Sequence, residues 1–400
     1  MCLVAAVPGD AQGDAMQATD GQLPPRILVP ATPDGPGATV AVRSQRYSPK
    51  NTDVILNRYR VRSRIGQGTF GTVVRAQDTV TGTTVAIKLL HKEDLLHGDM
   101  RVEEKVYALI LSGCQPHVGL FAAVIDSGSY RGFHCVVFDL CDCTLDDVVK
   151  AHLGIVPLPS RHLMEIAYQL VKGVEYLHSL GIIHTDIKPD NVALRSSGTT
   201  TMKWLDINAR LHEKKILIST HICIIDLGNA VDVQTFHVQQ GRVGARSYQA
   251  PEVTLGLSWS FGVDVFAIGC VVAELYLMRR LLLGIVLDDR EHLAHVNRII
   301  GPFPEAYARA IEAKYSGTFA FSDGRVVVVY PPGGSTVSAA DFVGVMRWLE
   351  QSKPLSTCVH DVRLHGFLRK LMAPNPADRA PLSVACKHEY FDPLYRAQLL

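Results

Sequence analysis

The chain has almost no net charge: 40 Lys and Arg against 39 Asp and Glu leave +1. That removes any global electrostatic argument for nucleic acid or a membrane surface as partner. Nine cysteines, an odd number, include no C-x-x-C, so neither a disulfide framework nor a zinc ribbon is indicated. Reduced thiols in the cytosol or nucleus are expected. Cys141 and Cys143 form a C-x-C pair without a second half and read as small residues near a loop rather than as a zinc site. No H-E-x-x-H occurs either. His292 and His295, three apart on a predicted helix, lack a third ligand and read as solvated surface histidines. The most apolar stretch, 263–287, is broken by Asp264, Glu274, Arg279 and Arg280, as a buried helix is and a membrane span is not. Residues 1–7 are apolar but short and lack a basic flank, which argues against a secretory signal. No internal repeat stands out.

What is present supports a sizeable core, since 47% of the residues are hydrophobic. Four hundred residues suit two or three domains or one bilobal unit. Residues 1–57, rich in Gly, Pro, Ala, Asp and Gln and without a sustained period, read as a disordered tail. Over 59–65 the chain alternates like a half-exposed strand, and a solvated strand face explains the arginines of 58–64 more simply than nucleic acid does. Gly66, Gly68 and Gly71 follow as G-x-G-x-x-G. A dinucleotide-binding turn with those letters must open a helix. Here 72–76 is β-branched and reads as a strand, which argues against a dehydrogenase and places the glycines at a strand–turn–strand hairpin. Without Cβ atoms, such a backbone can approach phosphates closely. Val85-Ala-Ile-Lys88 is another strand with one lysine at its end. Residues 102–111 have helical spacing at Val102, Val106, Leu109 and Ile110, and of Glu103 and Glu104 the former is the preferred partner for Lys88. Two further strands are read at 122–127 and 133–138. An apolar stripe from Leu163 to Leu177 predicts a helix over 161–180.

That helix leads into I-H-T-D-I-K-P-D-N at 183–191, which sets Asp186, Lys188 and Asn191 within six positions. Phosphoryl transfer needs this set: a carboxylate to orient or take the proton of the attacking hydroxyl, an ammonium to neutralise the moving group, and a side-chain carbonyl to hold a metal ion. Residues 195–216 read as a polar, mobile insert, and 216–225 as a buried strand delivering Asp226-Leu-Gly228. Ala250-Pro-Glu252 precedes a helix, apolar on all sides, that begins at Asp264. Asp264 is expected to cap that helix and to tether the backbone of the 183–191 loop. Arg379 is expected to form a buried ion pair with Glu252.

In this order, over 59–391, the motifs resemble those of a eukaryotic protein kinase. The resemblance implies an α+β, bilobal fold: a small β-rich N-lobe at 58–138 and a larger helical C-lobe at 139–395, with ATP between them. It implies that Ile65, Gly66, Gln67, Gly68, Gly71 and Val73 cover the nucleotide, with Ala86 against adenine and Lys88 on the α and β phosphates. Glu103 would orient Lys88. Phe138 would line the back of the pocket, and Asp139, Leu140 and Cys141 would form the hinge. Asp186 would serve as base, Lys188 as γ-phosphoryl partner, and Asn191 and Asp226 as magnesium ligands. His184-Thr-Asp186 and Asp226-Leu-Gly-Asn-Ala230 look like the SR-protein kinases, and E-H-L-A-H-V-N-R-I-I-G-P at 291–302 is similar to the stretch that names the LAMMER (CDC-like) kinases. A segment at 303–352, with a hairpin around Ser-Asp-Gly at 322–324, looks like the insert those kinases carry. Implied in turn are the CMGC group, a monomer in nucleus or cytoplasm, and Ser/Thr phosphorylation of Arg/Ser-rich splicing factors with some dual specificity. No membrane and no direct nucleic acid contact are expected.

Three positions depart from the family pattern. Ala245 and Gln249 stand where it has threonine and arginine, which puts turnover and substrate preference in question. Thr185 removes the arginine that reads a phosphorylated loop, so no activating phosphate is expected to be needed. Two alternatives stay open: a pseudokinase that serves as an interaction module, and a kinase of another group acting on basic or non-SR substrates.

Overall fold

Period-two alternation builds the first lobe. The computed structural model describes residues 47–67, 71–90, 100–113, 117–150, 153–234, 240–282, 289–330 and 339–397. Strands β1 (Val54–Ile55), β2 (Tyr59–Gln67), β3 (Gly71–Asp78), β4 (Thr84–Leu90), β5 (Val124–Tyr130) and β6 (Phe133–Asp139) form one antiparallel sheet in the order β1-β2-β3-β4-β6-β5. Tyr59, Val61, Val74, Ala76, Val85, Ile87, Leu89, Cys135 and Val137 point to one face and make a small core of their own. The register therefore sends Val73, Ala86, Lys88 and Phe138 to the other face, with Val73 beside Lys88 and Ala86 beside Phe138. Helix α1 (Met100–Ser112) packs there, its Tyr107 ring 5.3 Å from that of Phe138. Val106, Tyr107 and Ile110 are buried, whereas Leu109, expected on the apolar stripe, is 40% exposed.

Order begins earlier than residue 57. Tyr47 is buried and donates to Asp53 at 2.6 Å, and β1 pairs with β2. The rest of the expected tail, 1–46, lies outside the described residues.

The second lobe is organised by two helices, Ser160–Ser179 and Gly262–Leu277. The latter is buried from Val263 to Leu275, as its lack of a polar face requires. Asp264 tethers the 183–191 loop as expected, accepting from the backbone N–H of His184 and of Thr185 at 2.8 Å each. It does not cap the helix, because the N-cap position is Phe261 and Asp264 already lies within the first turn. Arg379 donates to both oxygens of Glu252, at 2.6 and 2.7 Å, with both side chains buried.

The 195–216 segment is an ordered antiparallel hairpin, Thr199–Leu205 against Leu211–Leu217, paired at every residue. Alternating Thr, Lys and apolar residues suit a strand with two solvated faces better than a mobile loop. The chain turns before the buried strand Ile222–Ile224, so 216–225 is not one strand. The second expected hairpin is present at Phe319–Ser322 and Arg325–Val328, with Asp323 and Gly324 both at positive φ as its tight turn requires.

His292 and His295 are not surface residues. Both are fully buried on the helix Asp289–Ile299. His292 Nε2 lies 3.0 Å from the Gln249 carbonyl oxygen, and the His295 ring lies 4.0 Å from that of Trp348. Burial lowers the pKa of His292 to about 4, with repulsion from Arg246 adding to it. Burial, then the nearby His292, lowers His295 to about 3. In the unfolded chain both return to an ordinary pKa of about 6.5. The unfolded state therefore binds more protons as pH falls below that value, and stability declines with it. Each histidine should cost about 2 kcal/mol of stability between pH 7 and pH 5. Urea unfolding at the two pH values checks this: the His292→Gln/His295→Phe double variant should lose clearly less than the wild type, and an equal loss contradicts the assignment.

Candidate active site

Three elements from both lobes meet at one charge cluster. Lys88, near the end of β4, donates from Nζ to Glu103 of α1 at 3.0 and 2.9 Å and to Asp226 Oδ1 at 2.7 Å. Glu103, not Glu104, makes the pair; Glu104 turns outward to His134 at 2.7 Å. Burial opposes charge on Lys88, but the two carboxylates outweigh it and raise its pKa above the ordinary lysine value. Burial likewise pushes Asp226 up, and Lys88 with the Gly228 N–H pulls it further down, below the ordinary carboxylate value. Asp226 holds a left-handed backbone, φ +62°, which a non-glycine residue adopts at a cost of about 1–2 kcal/mol. Leu227 behind it is fully buried and anchors the turn.

The 183–191 loop supplies the second cluster. Lys188 Nζ donates to Asp186 Oδ2 at 2.6 Å. Asn191 Nδ2 donates to the Asp186 carbonyl at 2.8 Å and to Oδ2 at 3.1 Å. The amide nitrogen is thereby committed to the loop, which leaves the Asn191 carbonyl oxygen as the atom for a metal. Thr185, at φ +67°, donates from its hydroxyl to the Asn229 carbonyl at 2.8 Å, so this loop is tied directly to the turn after Asp226.

The sheet face above carries the remaining candidates. Gly66 pairs with Val73 and Gln67 with Thr72, so β2 and β3 form the expected hairpin; Gly68 lies outside the described residues. Ile65 is 45% exposed, available to cover a ligand. Gly71 has a further reason to be glycine: a Cβ there would sit 2.5 Å from the Leu89 carbonyl. Phe138 is buried at the end of this face, and Asp139, Leu140 and Cys141 lead half-buried into the second lobe. The Asp139 carboxylate accepts from the Ala123 N–H at 2.6 Å and from Arg195. Arg195 also donates to the Phe121 carbonyl at 2.6 Å and the Gly119 carbonyl at 3.0 Å, which fixes the hinge from below. Sequence reasoning placed Arg195 in the insert, because nothing local marks a partner 56 residues away.

The donor set fits a magnesium-bound triphosphate. Among the described residues no group of three or more His, Cys, Asp or Glu could hold a metal alone. Magnesium needs no such cage, because it keeps waters and shares phosphate oxygens with one or two protein ligands. A Cβ on Gly228 would lie 3.2 Å from Lys88 Nζ and 3.3 Å from Asp226 Oδ1, so glycine there keeps the cluster uncrowded.

The fold and this site define a protein kinase domain. The protein kinase domain family matches residues 59–391. The dual specificity protein kinase lkh1 of Schizosaccharomyces pombe is 32% identical over 335 residues, covering 84% of this chain and 47% of that protein. The serine/threonine-protein kinase Doa of Drosophila melanogaster is 31% identical, covering 86% and 40%. The dual specificity protein kinase CLK1 of Homo sapiens is 30% identical over 351 residues, covering 86% and 68%. A crystallised kinase domain shares the fold, with a TM-score of 0.74 at 21% identity over 87% of this chain and 99% of its own. The chain belongs to the protein kinase family, among relatives of the CLK/LAMMER type. It spans about half the length of the lkh1 protein and two-fifths of Doa.

If Asn191 and Asp226 hold magnesium beside the triphosphate, Mg-ATP should raise the melting temperature of the wild type. At a ligand concentration of about 100 Kd the gain corresponds to about 2.7 kcal/mol. The gain should vanish in Asp226→Asn with Mg-ATP. An Asp226→Asn protein stabilised as much as the wild type would remove that residue from the site.

Proposed function

We propose that this domain transfers the γ-phosphoryl group of ATP to Ser and Thr hydroxyls of protein substrates, with magnesium as the resident metal. The observation that carries the reading is the double pairing of Asp186, with Lys188 at 2.6 Å and Asn191 at 3.1 Å, on a loop tethered by Asp264. On this reading one short segment carries a proton acceptor, a phosphoryl-neutralising ammonium and a metal ligand. Asp186 orients the attacking hydroxyl and accepts its proton. Lys188 stays bonded to that carboxylate and offsets charge developing on the transferred group. Lys88, aligned by Glu103, holds the α and β phosphates. Magnesium bound by Asn191 and Asp226 would screen the repulsion between phosphate oxygens. Fixed charges of this kind are each worth about 10²- to 10³-fold in rate.

The names of the relatives extend the acceptor to tyrosine, and the LAMMER and SR-kinase likeness points to Arg/Ser-rich splicing factors as substrates. Free thiols at the seven described cysteines suit a reducing compartment, nucleus or cytoplasm. The test compares an Arg/Ser-repeat peptide with a generic basic protein in Mg-ATP. The wild type should favour the repeat peptide, and Lys88→Ala should abolish transfer to both while remaining folded by circular dichroism. A wild type that transfers to neither acceptor is a pseudokinase, and one that favours the generic protein belongs with other substrates.

A further inference from the structure

Ile207 is the most exposed large apolar side chain among the described residues, at 86%. It sits at the tip of the hairpin formed by Thr199–Leu205 and Leu211–Leu217, and Leu205 and Leu211 just behind it are 64% and 61% exposed. The tip has a defined shape. The Asp206 carboxylate accepts from the backbone N–H of Asn208 at 2.8 Å and of Arg210 at 2.9 Å, and the Asp206 N–H donates to the Arg210 carbonyl at 3.0 Å. Ala209 takes the left-handed backbone, φ +59°, that closes the turn. These bonds hold Ile207 outward instead of letting it fold back onto the strands.

Pleating spreads the apolar groups over both faces. Leu205 pairs with Leu211 on one face. Trp204, opposite His212 and stacked on it with ring centroids 5.4 Å apart, lies on the other and is 41% exposed. A convex end that is apolar on both faces is poorly covered by a flat partner surface and suits a medium that closes around it. The charges select the medium. Both carboxylates of the hairpin are occupied, Glu213 by Lys203 and Asp206 by His212, each at 3.0 Å. Arg210, Lys214 and Lys215 have no carboxylate partner among the described residues. At about 3.3 Å per residue, Lys203, Lys214 and Lys215 stand roughly 7–13 Å behind the Leu205–Leu211 rung. That is where lipid phosphates lie when an apolar surface sinks about 5–10 Å into the headgroup boundary. Arg210, nearer the tip, has a stem long enough to return its charge to that layer. The expectation of no membrane partner came from the net charge of the whole chain, whereas a local cluster acts within a Debye length, about 8 Å.

We propose that the tip of this hairpin docks on an anionic lipid surface. Ile207, Leu205, Leu211 and Trp204 enter the interface, and Arg210, Lys214 and Lys215 meet headgroups of the phosphatidylserine class. The site is separate from the nucleotide cleft and does not depend on phosphoryl transfer. Its base is fastened beside the hinge, where the Ser197 N–H donates to Asp142 Oδ2 at 2.9 Å, so a docked chain holds its cleft close to the lipid surface.

The experiment sediments the full chain with vesicles of phosphatidylcholine alone or of phosphatidylcholine with phosphatidylserine. The wild type should bind the anionic vesicles at least about tenfold more tightly than the neutral ones, and added salt should weaken that binding. Lipids brominated on the acyl chain should quench tryptophan emission in the wild type and not in Trp204→Phe. Arg210→Glu/Lys215→Glu should lose about 25-fold or more on anionic vesicles. Ile207→Asp/Leu211→Asp should stay in the supernatant. Val362→Asp, which removes an apolar side chain that is 81% exposed in the first turn of another helix, should bind like the wild type. Each variant should keep the wild-type circular dichroism and its rate on a soluble peptide. A wild type left in the supernatant with both vesicles overturns the proposal, as does binding that the tip and charge variants leave unchanged. A wild type that dimerises instead, its dimer lost in Ile207→Asp/Leu211→Asp, overturns it by giving the tip to a second copy of the chain.

Discussion

The interaction on which the rest depends is the Lys88–Glu103–Asp226 cluster. Its three members come from β4, α1 and the loop after Ile224, so it joins the lobes as well as building the site. Lys88 and Glu103 are buried, and an unpaired buried charge is far more costly than a paired one. The positions of α1 and of the Asp226 turn are therefore linked to one ammonium. Within the cleft two ammoniums, Lys88 and Lys188, face three carboxylates, Glu103, Asp186 and Asp226. That balance is negative before any triphosphate enters, which is why a divalent cation belongs to the account.

Buried polar contacts farther away keep this geometry in place. Asp264 accepts from two consecutive backbone N–H groups and from His178 at 3.0 Å, so the catalytic loop is referenced to the most deeply buried helix. Glu252 and Arg379 join the Ala250-Pro-Glu252 stretch to the last third of the chain, and Arg379 also reaches the Gly262 carbonyl at 2.9 Å. Removing one partner of such a pair typically costs about 3–5 kcal/mol, because the other is left charged and dry. The same helix thus supports both the loop that carries Asp186 and the segment that ends at Glu252.

Much of this was legible because short-range chemistry is written locally. The strand after Gly71 distinguished a phosphate-covering hairpin from a dinucleotide fold, and the spacing of Val106 and Tyr107 favoured Glu103 over Glu104. What was not legible depended on distant partners. His292 and His295 lie on a helix whose sequence is polar, so only Trp348 and the Gln249 carbonyl reveal that it is enclosed. Arg195 looks like an ordinary surface charge until the chain folds Asp139 against it. The 195–216 hairpin was misread because polar alternation with two exposed faces carries the composition of a loop, and Leu109 because a periodic stripe does not say where the helix leaves its neighbour.

The most direct test of the central claim is a crystal structure with manganese and a non-hydrolysable ATP analogue, the metal located by its anomalous scattering. The account predicts a manganese peak bridged by Asn191 Oδ1 and the Asp226 carboxylate. Lys88 should then be bonded both to Glu103 and to the α or β phosphate. A metal peak away from these two residues, or a triphosphate out of reach of Lys88, would contradict it.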